Sequence, residues 1–379
     1  MTAPTPATTN ATTDAAAPHS PGLPIAPDTP PYSMPAAQKQ PLLLDALNAL
    51  SDWHAQHCPP YANMRQRLFG TAPATRREDL PWLPVRLFKT QDLVSSARSD
   101  IIKTLSSSGT TGQAVSRIYL DRETALRQTR VLTAIMASFL GKQRLPMVII
   151  DSADLLKDRS RFNARAAGIL GFSVFGRQHH YCLDADLNLQ IDALQAFLAQ
   201  HRGTPILAFG FTFVVWQRLL QAVIAQGRKL DFGPGSTLIH GGGWKRLQDQ
   251  QVGNAHFKAL LREHLGLERI YNYYGMVEQV GSIFMECEHG HLHAPVFADV
   301  IVRDPITLEP LPPGREGALQ VLSTLPVSYP GHSLLTEDLG VLHGEDDCPC
   351  GRLGRHFSVL GRLPQAELRG CSDTRAIPA

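Results

Sequence analysis

Seven consecutive positions, Ser106-Ser107-Ser108-Gly109-Thr110-Thr111-Gly112, carry five hydroxyls and two glycines. The glycines permit a tight loop whose backbone amides converge on an anion, and the hydroxyls add donors to phosphate oxygens. The Gly-Lys-Ser/Thr ending of a Walker A loop is missing. A solvent-exposed Ser/Thr-rich turn is the other reading of this stretch taken alone. Downstream, Tyr273-Tyr274-Gly275-Met276-Val277-Glu278 supplies rings that can flank an adenine and a carboxylate, Glu278, that can hold Mg²⁺ against phosphate. In Thr336-Glu337-Asp338-Leu339-Gly340, Asp338 can accept hydrogen bonds from both ribose hydroxyls, and Gly361-Arg362 follows.

A second group of residues has metal chemistry. Cys348-Pro349-Cys350-Gly351 is a tight Cys-x-Cys turn, and Cys287 with His289, His291 and His293 lies about 60 residues upstream. Three thiolates and an imidazole match a structural Zn²⁺ site, with Cys287, His293, Cys348 and Cys350 as the expected ligands. His291 or His289 is the alternative imidazole, and buried reduced cysteines beside exposed histidines are the alternative to a metal. His240-Gly241-Gly242-Gly243 follows an expected strand, and its glycines let backbone approach a ligand closely, so Gly242 and Gly243 are expected to contact nucleotide or substrate. His179-His180 reads as a polar surface loop, and Phe213 and Trp216 as core.

These residues need a scaffold. Leu42, Leu43, Ala46, Leu47 and Leu50 recur at helical spacing from Pro41 to the break at Pro59-Pro60. Asp121 can cap a helix over about 122–140. Strands are expected at Pro146–Ile150, Ile206–Phe211, Thr237–His240 and Arg269–Tyr273, with helices at Val214–Ala225 and His256–Leu265 between them. Such alternation implies a largely parallel sheet covered on both faces. After Ala294 short strands separated by Pro and Gly suggest a smaller β-rich subdomain.

The formal charge of +2 lacks the concentrated basic surface of a nucleic-acid binder. With 43% hydrophobic and 18% charged residues the chain can bury a large core. The longest apolar stretch, Ile206 to Trp216, is too short to span a bilayer. The first 41 residues hold 10 of the 28 prolines, and residues 1–40 are expected to be a disordered leader. Residues 1–38 contain no Lys or Arg and no apolar run, so no targeting signal is read there. A cytoplasmic location follows, in which the six cysteines are thiols, ligands or nucleophiles rather than disulfide partners.

Serine-rich loop, Tyr-Gly-x-x-Glu, Thr-x-Asp-x-Gly and Gly-Arg, in this order, resemble the adenylate-forming superfamily of acyl-CoA synthetases and phenylacetate-CoA ligases. Ser116-Arg117-Ile118-Tyr119-Leu120-Asp121, His240-Gly241-Gly242-Gly243-Trp244-Lys245 and Gly281-Ser282-Ile283-Phe284, leading into Cys287 and His293, look more specifically like the acyl-protein synthetases of the bacterial luminescence fatty acid reductase complex. The similarity covers about residues 40 to 375. It implies an α/β fold with the superfamily's large N-terminal domain over 41–362 and a C-terminal tail over 363–379.

The resemblance further implies that Ser107, Ser108, Gly109, Thr110, Thr111 and Gly112 cradle the ATP phosphates, Glu278 holds Mg²⁺, Tyr274 with Gly275 lies at the adenine, and Asp338 with Arg362 holds the ribose. A carboxylic acid, most simply a fatty acid, would attack the α-phosphate and give an acyl adenylate. The wider superfamily has a further small domain with a catalytic lysine. This sequence ends at Ala379, leaving that role to Lys245, Lys103 or Arg117, or unfilled. Near the end, Arg369-Gly370-Cys371-Ser372 carries a thiol whose pKa Arg362, Arg369 and Arg375 can lower. A free cysteine on a tail is the bland alternative. The family's C-terminal acylated cysteine makes Cys371 the expected acyl acceptor, with a reductase and an acyl-transferase or thioesterase as partners. A carboxylate-CoA ligase in which Cys371 is incidental is the competing function.

Overall fold

A computed structural model describes residues 20–106, 115–156, 164–243 and 252–363. In chain order its strands are β1 (Leu83–Pro84), β2 (Ile101–Ser106), β3 (Arg117–Asp121), β4 (Leu145–Ser152), β5 (Gly176–Leu183), β6 (Leu207–Phe211), β7 (Thr237–Gly241), β8 (Arg269–Tyr274), β9 (Phe284–Glu286), β10 (Leu292–His293), β11 (Ala298–Arg303), β12 (Glu316–Ser323), β13 (Ser333–Glu345) and β14 (Arg355–Arg362). All but β2 and β3 form one sheet, ordered β11-β12-β13-β14-β10-β9-β8-β7-β6-β4-β5, with β1 pairing on β13. The strands from β5 to β8 run parallel, and those from β8 through β9, β10, β14, β13 and β12 to β11 pair antiparallel. The smaller β-rich region expected after Ala294 is present and forms the antiparallel continuation of the same sheet.

The parallel half is apolar on both faces, as alternation along its strands shows. Val148, Ile150, Ala208 and Leu238 face one cluster, with Leu194 and Leu198 of one helix and Phe257, Leu261 and Leu265 of another. Met147, Ile149, Leu207, Phe209 and Ile239 face the opposite cluster, with Val131, Ile135, Phe139 and Phe172. Burying each such side chain contributes roughly 1.5–3 kcal/mol before conformational entropy is charged against it. Phe213 and Trp216 pack into the first cluster, as expected of core residues.

Helix 122–140 (Arg122–Leu140) begins as its sequence dictates: the Asp121 carboxylate accepts from the Thr124 amide at 2.7 Å. The first helix starts at Ala36, five residues ahead of Pro41, and ends at His57. Its start is held by the Asp346 carboxylate, which accepts from the Ala36 amide at 2.6 Å. Pro59 opens the next helix, Pro59–Leu68, where its missing N–H costs nothing.

Residues 20–40, expected as part of the disordered leader, are packed. Ile25 is buried against Phe139 and its neighbours. The Pro31 and Tyr32 carbonyls accept from the amides of Val296 and Leu353. A proline lacks a donor but keeps its acceptor, so a Pro-rich segment can dock by its carbonyls. Residues 1–19 lie outside the described part. Two further elements, β5 and the helix Ile191–Gln200, had no counterpart in the sequence reading. His179 and His180 therefore sit on an edge strand rather than in a loop.

Candidate functional site

The C-terminal ends of the parallel strands converge: Phe211 of β6 is in register with Gly241 of β7, and Gly241 with Tyr273 of β8. This edge is where open α/β sheets bind ligands. The glycines there are sterically required. A Cβ on Gly241 would stand 2.3 Å from Tyr273 Cε1, and Gly242 has φ +77° with Phe211 Cδ1 3.3 Å from a Cβ position. Gly242 and Gly243 follow directly at this strand end, Gly243 with open space around it.

Beyond β8 the chain turns through Val277–Gln279, which places Glu278 in a buried position. Gln279 fixes this turn by donating to the carbonyls of Val321 and Gly331 at 3.1 and 2.8 Å. Burial pushes the Glu278 carboxyl above its usual range, opposed by a hydrogen bond from Ser116 and the charge of Lys89. Ser116 immediately precedes β3, and β3 pairs with β2 to form the hairpin that flanks the serine-rich stretch, Ser106 opposite Arg117. Leu105 and Ile118 anchor the hairpin in a cluster shared with Phe284 and Phe357. The stem thus brings Ser116 to Glu278. Ser107, Ser108, Gly109, Thr110, Thr111 and Gly112 themselves lie outside the described residues, as do Lys245 and Cys371. Lys103 and Arg117, the other candidate cations, are exposed on the hairpin.

Tyr274 and Asp338, 64 residues apart, are joined: the phenol donates to Asp338 Oδ2 at 2.7 Å. The ring lies 6.1 Å from that of Phe284 and 6.3 Å from that of Phe357. Burial pushes the Tyr274 hydroxyl well up, and the nearby Asp338 charge adds to this. The Asp338 carboxyl is raised by burial and held back by the Tyr274 hydrogen bond. Arg362 pairs opposite Asp338 across β13 and β14, its Nε 3.9 Å from Oδ1, with the guanidinium largely in solvent. Gly275 is exposed beside Ile283.

About the outer end of the same strands, Cys287, His293, Cys348 and Cys350 bring one ligand atom each to within 4.8 Å of one another. A tetrahedral Zn²⁺ with bonds of about 2.3 Å to sulfur and 2.0–2.1 Å to nitrogen places ligands about 3.8 Å apart for S···S and about 3.6 Å for S···N. Cys287 Sγ to Cys348 Sγ is 3.9 Å, and Cys350 Sγ to His293 Nε2 is 3.3 Å. The donor set and its spacing fit zinc, with these four residues as the holders. The Gly351 turn, φ +77°, brings the Arg352 amide to Cys350 Sγ at 3.4 Å. Burial raises the thiols of Cys287 and Cys348, whereas Cys350, also opposed by burial, is brought below its usual value by hydrogen bonds from the Arg352 amide and Cys348. His356 and His343 escaped the sequence reading. His356 stands opposite His293 in the β10–β14 register, a relation that no local spacing encodes.

Comparison with known proteins agrees with this geometry. The family described as "Acyl-protein synthetase, LuxE" matches residues 25–376. The chain is 33% identical over 151 residues to a "Long-chain-fatty-acid--luciferin-component ligase" of Vibrio harveyi and 29% identical over 141 residues to its namesake in Aliivibrio fischeri. The aligned stretches cover 39% and 37% of this chain and only 38% and 37% of those relatives. Among solved structures, an open conformation of 2-hydroxyisobutyryl-CoA ligase with 2-HIB-AMP and CoA superposes with a TM-score of 0.65 at 17% identity, covering 87% of this chain and 76% of that one. The same ligase in its postadenylation state with R3-HIB-AMP gives 0.63 at 17% identity, covering 88% and 69%. The fold is thus that of adenylate-forming ligases, and the family match runs through both the strand-end site and the cysteine cluster: the chain belongs to the LuxE acyl-protein synthetase family.

Proposed function

We propose that the chain activates a carboxylic acid, a fatty acid in this reading, with ATP and then carries the acyl group on Cys371 as a thioester. The observation that supports it best is the convergence of the hairpin stem with Ser116, the Glu278 turn, the Tyr274–Asp338 pair and Arg362 at the sheet edge where the fold's ligands bind. In the proposed first step the substrate carboxylate attacks the α-phosphorus and pyrophosphate leaves. Catalysis of such a displacement is mainly positioning and neutralisation of charge on phosphate oxygens. The serine-rich stretch 106–112 would hold the phosphates, and Asp338 with Arg362 the ribose. Gly242 and Gly243 would leave room for base and acyl chain. Mg²⁺, when bound, would supply the charge that screens the phosphate oxygens, and Glu278 would be the carboxylate that holds it. Zn²⁺ at the cysteine cluster would be structural.

In the second proposed step the Cys371 thiolate attacks the acyl carbonyl, the C–O bond to AMP breaks, and AMP leaves. A reductase would then accept the acyl group, with an acyl-transferase or thioesterase as a further partner and the cytoplasm as the place of action. Among the described residues no helix is long and apolar enough to cross a membrane.

Intact-protein mass spectrometry after incubation with ATP, Mg²⁺ and a panel of fatty and aryl acids tests this, comparing the parent with Cys371→Ser. A hydroxylamine-labile acyl adduct on the parent alone is the expected result. Acylation of added coenzyme A by both proteins equally, with no adduct on either, would replace this reading with a carboxylate-CoA ligase.

A further inference from the structure

We propose a second ion site beside the first, in which His291, His356 and the Cys348 thiolate hold a divalent ion of the zinc type and Cys348 bridges the two ions. The inference builds on the zinc reading above. His291, Cys348 and His356 form a separate set of potential ligands, again within 4.8 Å of one another. Cys348 belongs to both sets. Its sulfur lies 3.9 Å from Cys287 Sγ on one side and 3.7 Å from His291 Nδ1 on the other, the second distance close to the ~3.6 Å expected for sulfur and nitrogen on one zinc. The first set is complete with four ligands, so His291 and His356 are surplus to it.

Two further observations point to a ligand. His356 is only 5% exposed, yet its Nδ1 has no hydrogen-bond partner. The nearest carboxylate, Asp347 Oδ1, is 3.6 Å away, beyond hydrogen-bond range. An imidazole nitrogen left open in a buried place is costly unless something binds there. Charge is the second. Three thiolates and a neutral imidazole around one Zn²⁺ leave a net charge of −1, which favours another cation alongside. A thiolate bound to one ion retains lone pairs for a second.

The three protein ligands leave a fourth position open, the pattern of sites that keep a water or exchangeable ligand. Asp347, with its side chain 68% exposed, borders that side. His343 stacks on His291 with ring centres 4.5 Å apart, and its Nε2 is 2.8 Å from Ser358 Oγ, which orients the His291 ring from behind.

The test is zinc stoichiometry by inductively coupled plasma mass spectrometry. It uses the full chain without a polyhistidine tag, saturated with ZnCl₂ and freed of excess by gel filtration. Two zinc ions per chain are expected, falling to one in the double variant His291→Ala/His356→Ala with an unchanged circular dichroism spectrum. One zinc in the parent overturns the second site and leaves the first standing, whereas none overturns both. Equal counts of two in parent and double variant also overturn the proposal, because the extra ion would lie elsewhere. Should the double variant not fold, titration of the metal-free parent with Co²⁺ decides. Thiolate-to-cobalt absorption that keeps changing through two equivalents supports the bridge, and a plateau at one overturns it.

Discussion

Lowering the pH from 7.0 to 5.5 should remove about 4 kcal/mol of stability through three buried imidazoles far from the cysteine cluster. His54 and His332 stack with ring centres 4.9 Å apart, and both are fully buried. His54 Nδ1 is 2.8 Å from Ser95 Oγ, and His332 Nε2 is 2.9 Å from Ser51 Oγ. His240 is 2% exposed, with Nδ1 3.0 Å from Thr212 Oγ1. Burial drives His332 and His240 down to about 3, and drives His54 well below its usual value, where the His332 ring adds to the effect. The folded state therefore keeps all three neutral while the unfolded chain protonates them near pH 6.5. Because the unfolded state binds more protons, stability is full above that value and is lost as pH falls from 6.5 towards 3. Each group costs almost nothing at pH 7.0 and a little over ~1 kcal/mol at pH 5.5, so the three together account for roughly 4 kcal/mol of a typical 5–15. Urea unfolding of the parent and His332→Gln at the two pH values measures it. The variant should lose about 1 kcal/mol less than the parent over the interval, and any loss of metal is common to both and cancels. Equal losses in the two proteins would refute the argument.

Other expectations rest on single contacts. Asp121→Ala removes the cap on helix 122–140 and the acceptor of Ser96 Oγ, and should cost at least about 1 kcal/mol by chemical denaturation, with Asp121→Ser recovering the cap's share of it. Gly281→Ala meets both a φ of +86° and a Cβ position 2.7 Å from Gln128 Cα, so it should cost at least about 2 kcal/mol and expose the 277–282 turn to limited proteolysis. Tyr274→Phe removes the hydrogen bond to Asp338. Since the carboxylate is 23% exposed and regains water, the loss should sit near the lower end of the range for bonds to charged groups, about 1.5 kcal/mol in urea unfolding.

Local chemistry was readable from the sequence, and pairing between distant segments was not. The Asp121 cap and the four expected parallel strands follow from spacing and residue type, as do Cys287, Cys348 and Cys350 with an imidazole, whereas the choice of His293 over His291 or His289 emerges only in the fold. Strand β5 escaped because its buried residues cluster at its two ends, Gly176 and Cys182–Leu183, so no alternation marks it. The docking of residues 20–40 escaped because composition measures what a segment can bury by itself, whereas here its carbonyls are used by the distant segments that lead into β11 and β14. Tyr274 and Asp338 were read as two independent groups on a nucleotide. Only the β13–β14 register and the turn after β8 reveal that they hold each other. His356 is legible as a neighbour of His293 only once β10 and β14 are laid side by side.

Strand β14 is stitched along its length to β13 and pinned at its start to β10, and Leu363 just past its end donates its amide to the Glu337 carbonyl at 2.9 Å. Whatever follows is moored at a fixed post. Cys371 comes eight residues later, so eight peptide units bound its distance from Leu363 at about 29 Å. A single thiol confined to a sphere of that radius has a local concentration on the order of 10 mM. If Cys371 is the acyl acceptor proposed above, a free thiol would have to reach a comparable concentration in the surrounding solution, or bind a pocket of its own, to compete with it.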